Sequence, residues 1–533
     1  MKNLFICLLL TLTLILSGCD VIIGGNDQSD TEAGTSLPEA SAPDKPSDPT
    51  EAPTFSGDEC DTHTDSDDNG SCDVCAVSVM VTVDLYAIND LHGKFSDTDS
   101  DEGVDELTAY LKKAYASDDH YITLSSGDMW QGGSESNLTK GLIITEWLNH
   151  IGAVSMTLGN HEYDWGEEYI YNNAEIAEFP FLAINVYDRA TNQPVDYCAP
   201  SVVIERGGIQ IGIIGAIGDC YSSIAPDKVE DIYFKVDGEL TQLVKDESER
   251  LRAEGVDYII YSLHDGYGQS KSGTTSISSS KLSSYYSSEL SSGGYVDLVF
   301  EGHTHQNYVM KDTYGVYHLQ NGGDNRGISH AEVKINSVTN SSTVIEAEFI
   351  EDDTYMYLSD DGIVDELREK YKEQIALGDE VIGTNRYYRN SDYLRQLVAD
   401  LYYESGIELW GDEYDIVLGG GFISVRSPYH LEAGDVKYSQ LQSLFPFDNH
   451  LVLCSIKGYD LKNRFINSSN DNYFVSYEDG LPSSINDSAT YYIIVDSYSS
   501  SYAPNRLTEI ARYELDVFAR DLLAEYIKNG GLE

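Results

Sequence analysis

Five short apolar runs in the first 310 residues each break off into a cluster of Asp, Asn or His, and this recurrence limits the fold more than any other feature. Val79–Ile88 alternates and ends in Asn89-Asp90-Leu91-His92-Gly93. Tyr121–Leu124 leads to Ser126-Gly127-Asp128, and Ala153–Leu158 leads to Gly159-Asn160-His161-Glu162-Tyr163-Asp164. Val256–Leu263 ends at His264-Asp265-Gly266, and Val296–Phe300 at Gly302-His303-Thr304-His305. Helical patterns at Val104–Ala116 and Gln242–Ala253 lie between several of these runs. Strands separated by helices predict an α/β arrangement, in which ligands gather beyond the carboxyl ends of the strands.

The polar residues at those ends share a chemistry. Asp90, His92, Asp128, Asn160, His264, His303 and His305 are oxygen and nitrogen donors with no thiolate among them, a set that suits Zn, Mn, Fe(II), Co or Mg. Seven donors exceed what one tetrahedral ion takes. They suit two ions roughly 4 Å apart that share a carboxylate.

The series D-x-H, G-D, G-N-H-E, H and G-H-x-H, in this order, resembles the calcineurin-like metallophosphoesterases. The GNHEYD variant resembles the branch that contains the 5′-nucleotidases and bacterial UDP-sugar hydrolases. The resemblance implies a four-layer αββα sandwich followed, through a helix, by a smaller α/β domain. It also implies one metal on Asp90, His92 and His305, another on Asn160, His264 and His303, and Asp128 bridging. His161 and Asp164 match the family's catalytic dyad.

Residues 386–533 resemble the C-terminal nucleotidase domain through Leu418-Gly419-Gly420-Gly421, Gly434-Asp435-Val436 and Leu444-Phe445-Pro446-Phe447-Asp448-Asn449. That domain supplies a pocket in which two aromatic rings sandwich the base. Phe447 matches the first ring; Tyr502 is the candidate for the second, with Tyr498 as the alternative. The sequence departs from the pattern in having Leu418 where Asn precedes the glycines, and Arg426 three positions late. Ser-Tyr-Ala-Pro also replaces Gly-Gly-Asp-Gly near the second ring. Arg389, Arg395 and Arg426 are the candidates for phosphate or sugar contacts.

The expected organisation is a lipoprotein signal peptide over 1–18, a tether over 19–58 and a small Cys/His module over 59–76. A metallophosphoesterase domain over 77–350, a linker helix over 351–385 and the substrate-specificity domain over 386–533 follow. Lys2 precedes a short apolar stretch, Leu4–Leu16, and Leu16-Ser17-Gly18-Cys19 resembles a bacterial lipobox with Cys19 as the lipidated residue. The Pro-, Ser- and acid-rich segment after it reads as a disordered tether with a reach of about 35 Å. These features predict a membrane anchor with the body on the extracellular or periplasmic face.

In the small module, Cys60-x-x-His63 and Cys72-x-x-Cys75 offer the four donors of a structural zinc site. A disulfide is the second reading. The overlapping Asp65-x-Asp67-x-Asn69-Gly70 gives calcium as the third, although Ala76 stands where the bidentate Glu belongs. Residues 268–293, rich in Ser, Tyr and Gly, read as a flexible surface insertion.

A formal net charge of −57 excludes nucleic acid as a partner, since nothing here would displace counterions from its phosphates. The substrate expected is a small nucleotide or another phosphate ester. The alternatives are a 2′,3′-cyclic-nucleotide phosphodiesterase, a UDP-sugar hydrolase and, outside enzymes, a surface binding protein with a vestigial site.

Overall fold

The computed structural model describes residues 62–97, 102–116, 120–266, 286–358, 362–468, 473–477, 485–502, 506–513 and 518–533. The signal stretch, Cys19, the tether, Cys60, most of the serine-rich insertion and the side chain of Tyr502 lie outside them. Glu59–Glu533 forms one compact unit.

Two six-stranded sheets build the first part of that unit. One runs Ser342–Glu351, Gly327–Asn336, Met80–Ile88, Tyr121–Ser125, Met156–Thr157, Phe181–Leu182. The other runs Tyr308–Lys311, Tyr317–Gln320, Leu298–Glu301, Tyr258–His264, Ile209–Ile217, Ser201–Arg206. In the first sheet the strands from Met80–Ile88 to Phe181–Leu182 run parallel and the other two are antiparallel; in the second, parallel central strands are closed at both edges by antiparallel ones.

Alternation explains how the sheets stack. Val83, Leu85 and Ala87 of the first strand join Ile211, Ile213, Ile260 and Phe300 of the second sheet in one dry core. Tyr86 and Ile88 point the other way, onto Leu107, Leu111, Ile144 and Trp147 of the helices Asp105–Tyr115 and Leu142–His150. The outer face of the second sheet is covered by the helix Asp237–Ala253, which turns Leu240, Val244 and Leu251 inward at helical spacing. Tyr258–His264 is buried at every position, as expected of a parallel strand covered on both faces. The result is the four-layer αββα sandwich.

The apolar run Ala153–Leu158 gives only a short strand, Met156–Thr157. Its first residues are taken up in leaving the preceding helix, where the Ala153 N–H still donates to Leu148 O. Within residues 351–385, where a linker helix is expected, lie the two helices Ile363–Lys370 and Lys372–Ile375, separated at Tyr371. The described end of the insertion holds a short helix, Ser288–Ser292, with Tyr286 and Leu290 buried beside it.

The second part is a five-stranded mixed sheet, in the order Tyr473–Ser476, Ile416–Phe422, Thr490–Asp496, Leu451–Lys457, Leu507–Arg512. The helices Ser391–Trp410 and Ala519–Lys528 pack against this region. The glycines after Leu418 have a steric cause. A Cβ on Gly419 would lie 2.4 Å from the Tyr403 backbone nitrogen, so the strand reaches the helix only without a side chain there.

Candidate active site

Strand ends deliver the polar clusters through strained backbone. Asp90, His92, Asp128, His303 and His305 all have φ between 49° and 71°, the left-handed region that non-glycine residues rarely occupy. Each such residue costs about 1–2 kcal/mol and persists only where its surroundings hold it. The loops are held by one another: Asp90 N–H donates to Gly127 O at 2.9 Å and His92 N–H to Asp128 O at 3.1 Å. The His303 N–H adds a 2.8 Å bond to Asp90 Oδ2.

The side chains converge in three overlapping groups, one of them Cys220, His264 and His303, the other two held together by Asp90. Asp90, His92 and His305 place ligand atoms within 4.8 Å of one another, and so do Asp90, Asp128 and His264. Asp90 is therefore the carboxylate common to both groups. Two histidines have fixed tautomers. His92 Nδ1 donates to Gln131 O at 2.9 Å, and His264 Nδ1 donates to Ser126 O at 2.6 Å. Each Nε2 lone pair is thereby turned to the interior, the arrangement found around metal-bound imidazoles. His92 Nε2 comes to 3.0 Å from His305 Nε2, and His264 Nε2 to 3.1 Å from Asp128 Oδ2.

Opposed lone pairs at these distances call for a cation. Asn160 Oδ1 is buried without a hydrogen-bond partner, and His264 Nε2 is likewise unsatisfied. Buried acceptors of this kind are rare unless an ion or a water completes them. His303, whose ring centroid lies 5.7 Å from that of His264, also faces this space. Burial and the neighbouring His264 draw His303 down to about 4, and burial with His305 holds His92 well below the ordinary imidazole range. Burial opposes the charge on Asp90, yet His305 outweighs it and brings that carboxylate to about 2. Burial opposes charge on His264 and His305, yet Asp128 and Asp90 draw them up, His264 to about 10, so a divalent cation bound there would displace a proton from each.

His161 stands beside this centre. Its Nδ1 donates to Asp164 Oδ2 at 2.7 Å, and its backbone N–H donates to Asp128 Oδ1 at 2.8 Å. Its Nε2 lies 3.0 Å from Arg426 Nη2, so Arg426 reaches the centre despite its late position in the sequence. The same guanidinium lies 5.5 Å from the Phe447 ring centroid, and that ring is 6.0 Å from His161. His161, His303, Arg426, Phe447 and Tyr498 line one cavity of about 360 Å³. Tyr498 also faces Phe422, with ring centroids 5.9 Å apart. Arg389 and Arg395 are absent from the lining: Arg389 lies 4.2 Å over the Tyr393 ring, and Arg395 pairs with Asp392 at 3.2 Å.

Two groups of residues that sequence reasoning left without a role hold the site together. Glu162 is fully buried and accepts from the N–H groups of Gly159, Met129 and Asp128 at 2.6, 2.8 and 3.0 Å. One carboxylate thus pins the loop of Asp128 to that of Asn160. Its position directly after His161 was the available signal. Glu162→Gln turns an amide donor toward these donors and leaves at least one unpaired, at about 1–3 kcal/mol. Urea unfolding should show that loss as a lower midpoint; an unchanged midpoint would contradict the pinning role.

The second group is Lys140, Asp448 and Arg520. Asp448 pairs with Lys140 at 2.6 Å and Arg520 at 2.5 Å, and Arg520 also donates to Phe447 O at 3.0 Å. Lys140 in turn lies 4.9 Å over the Trp165 ring, next to Asp164. The triad ties the wall carrying Phe447 to the turn carrying the His161–Asp164 pair. Asp448→Asn leaves the buried Arg520 short of its counter-charge and should cost about 3–5 kcal/mol. Thermal unfolding measures this, and a shift below the error of the melt would argue against the triad.

Comparison with known proteins follows the same lines. Residues 84–307 match the calcineurin-like phosphoesterase family. Residues 84–307 form a calcineurin-like phosphoesterase domain. The apyrase of Tabanus yao is similar to it at 26% identity over 424 residues, 72% of either chain. Protein UshA of Yersinia enterocolitica is 25% identical over 433 residues, 71% of this phosphoesterase and 75% of its own length. Among solved structures, the 5′-nucleotidase precursor of Thermus thermophilus gives a TM-score of 0.63. It covers 84% of this chain and 96% of its own at 19% identity, a likeness of fold. The phosphoesterase is a hydrolase of phosphate esters, and its Asp/His groups could hold the divalent ions such enzymes use. Among the described residues no helix is long and apolar enough to cross a membrane.

Proposed function

We propose that this phosphoesterase removes phosphate from nucleotides at a pair of divalent cations. One observation carries the reading: two Asp/His groups joined through Asp90 reach, through Asp128 and His305, a cavity also lined by the His161–Asp164 pair and aromatic rings. Asp90, His92 and His305 would hold one ion; Asn160, His264 and His303 the other, with Asp128 beside them and Asp90 common to both. Bound there, the ions neutralise phosphoryl oxygens and make a water nucleophilic near neutral pH.

The chain's own residues supply the rest. Asp164 fixes the tautomer of His161, so that Nε2 faces the cavity and can carry a proton toward the leaving oxygen. Arg426, 3.0 Å from that nitrogen, adds positive charge where an anionic substrate enters. Phe447 and Tyr498 offer ring faces to a base, each worth about 1–3 kcal/mol when stacked. In a chain of net charge −57, this local positive field is what lets a phosphate approach. The parts then divide as catalytic over 77–350 and substrate-selecting over 386–533. Lipidated Cys19 and the tether would hold both at the outer face of a membrane.

The test is release of inorganic phosphate from nucleoside mono-, di- and cyclic phosphates, a nucleotide sugar and a simple aryl phosphate, with and without chelator. Chelator-sensitive turnover of nucleoside monophosphates, well above the aryl ester, is the expected result. Turnover of the aryl ester alone removes the nucleotide assignment, and turnover of nothing leaves a binding protein.

A further inference from the structure

The stretch just ahead of the first strand forms a compact knuckle. Cys72 N–H donates to Val77 O at 2.8 Å, Ala76 N–H to Cys72 O at 2.9 Å and Asp73 N–H to Thr64 O at 2.7 Å. Ala76 closes the turn with φ 57°, and Ser71 bridges to Ser78. The folding brings the ligand atoms of His63, Cys72 and Cys75 within 4.8 Å of one another. A tetrahedral ion with Zn–N near 2.1 Å and Zn–S near 2.3 Å spaces such donors by about 3.6 Å. His63 Nδ1 and Cys75 Sγ are 3.4 Å apart.

The carboxylates interleaved with these donors are engaged elsewhere. Asp65 accepts from the N–H groups of Asn69 and Gly70 at 3.0 and 2.9 Å, and from Asn336 Nδ2 at 2.7 Å. Asp68 accepts from Thr339 and Ser341 hydroxyls, each at 2.6 Å, and Asp73 accepts from Ser66 N–H at 2.9 Å. Asp65, Asp67 and Asp73 also come within 4.8 Å of one another. Asp65 nonetheless spends both oxygens on the turn and on the hairpin Gly327–Glu351. The oxygen set therefore works as a fastening, and the nitrogen and sulfur set is the one whose donors suit zinc.

We infer that His63, Cys72 and Cys75 form a structural zinc site whose ion closes the knuckle of residues 62–79, which Asp65 and Asp68 fasten onto the turn between the strands Gly327–Asn336 and Ser342–Glu351. The sequence supplies a further sulfur at Cys60, which lies outside the described residues. A structural zinc of this kind contributes directly to local stability, because ion binding and ordering of the donors are one event. The site is separate from the Asp90 centre and does not depend on the substrate of that centre.

The purified full-length chain tests this through metal content and spectroscopy. Cobalt loading should give a thiolate-to-cobalt absorption band that Cys72→Ser/Cys75→Ser removes, with one equivalent of zinc lost and phosphate release from the aryl ester unchanged. Amide exchange over 71–79 and 336–341 should quicken by about tenfold or more in that variant. Should the variant fail to fold, cadmium NMR of the unmodified chain reports the number of sulfurs bound. An intact mass lower by two hydrogens with no zinc, protection restored by calcium alone, or a cadmium signal with oxygen donors only would each overturn the assignment.

Discussion

Asp90→Ala should empty both metal positions and lower phosphate release by roughly a thousandfold or more, equivalent to about 4 kcal/mol in the barrier. Asp90 is the carboxylate common to the two donor groups, it is fully buried, and it anchors the His303 backbone as well. Its loss removes a ligand from each ion and a restraint from the loop carrying His303 and His305. The family resemblance instead assigns the shared role to Asp128, so Asp128→Ala is the informative companion. Elemental analysis of the two variants decides between them. One ion retained in Asp128→Ala and none in Asp90→Ala is expected; the reverse would return the shared role to Asp128.

His161→Ala should behave differently, keeping both ions while turnover falls by about 10²–10⁴-fold, the range for a positioned proton donor. The hydrogen bond from His161 to the ligand set comes from its backbone N–H, which donates to Asp128 and which alanine retains, while its ring packs edge-on against His92 at 5.1 Å. The ring also hydrogen-bonds Asp164 and lies beside Arg426 and Phe447. The drop should be smaller for a substrate with an acidic leaving group, which needs no proton. Equal losses on nucleotide and aryl ester, or metal lost along with activity, would remove His161 from the proton-transfer role.

The metal half could be read because its signal is periodic and local. An apolar run followed by Asp, Asn or His needs no knowledge of the rest of the chain, and the ends of Met80–Ile88, Tyr121–Ser125 and Tyr258–His264 fell where the runs placed them. The weaker run at 153–158 had to serve a helix exit and a strand at once, so only two residues pair as strand. What stayed hidden depended on contacts between distant positions. Lys140 and Asp448 are 308 positions apart, and nothing in either neighbourhood names the other. Glu162 was visible in the motif, but its job emerges only when the Met129 and Gly159 N–H groups arrive around it. Arg389 looked suited to a phosphate, yet the tyrosines beside it in sequence are also the rings it stacks on.

Because Glu162 gathers the amides of two ligand-bearing turns onto a single side chain, those turns cannot adjust one at a time. An ion that settles one turn also settles the other, so occupancy should climb in one steep step as metal is added. Separate affinities for separate seats would be the signature of turns that move on their own.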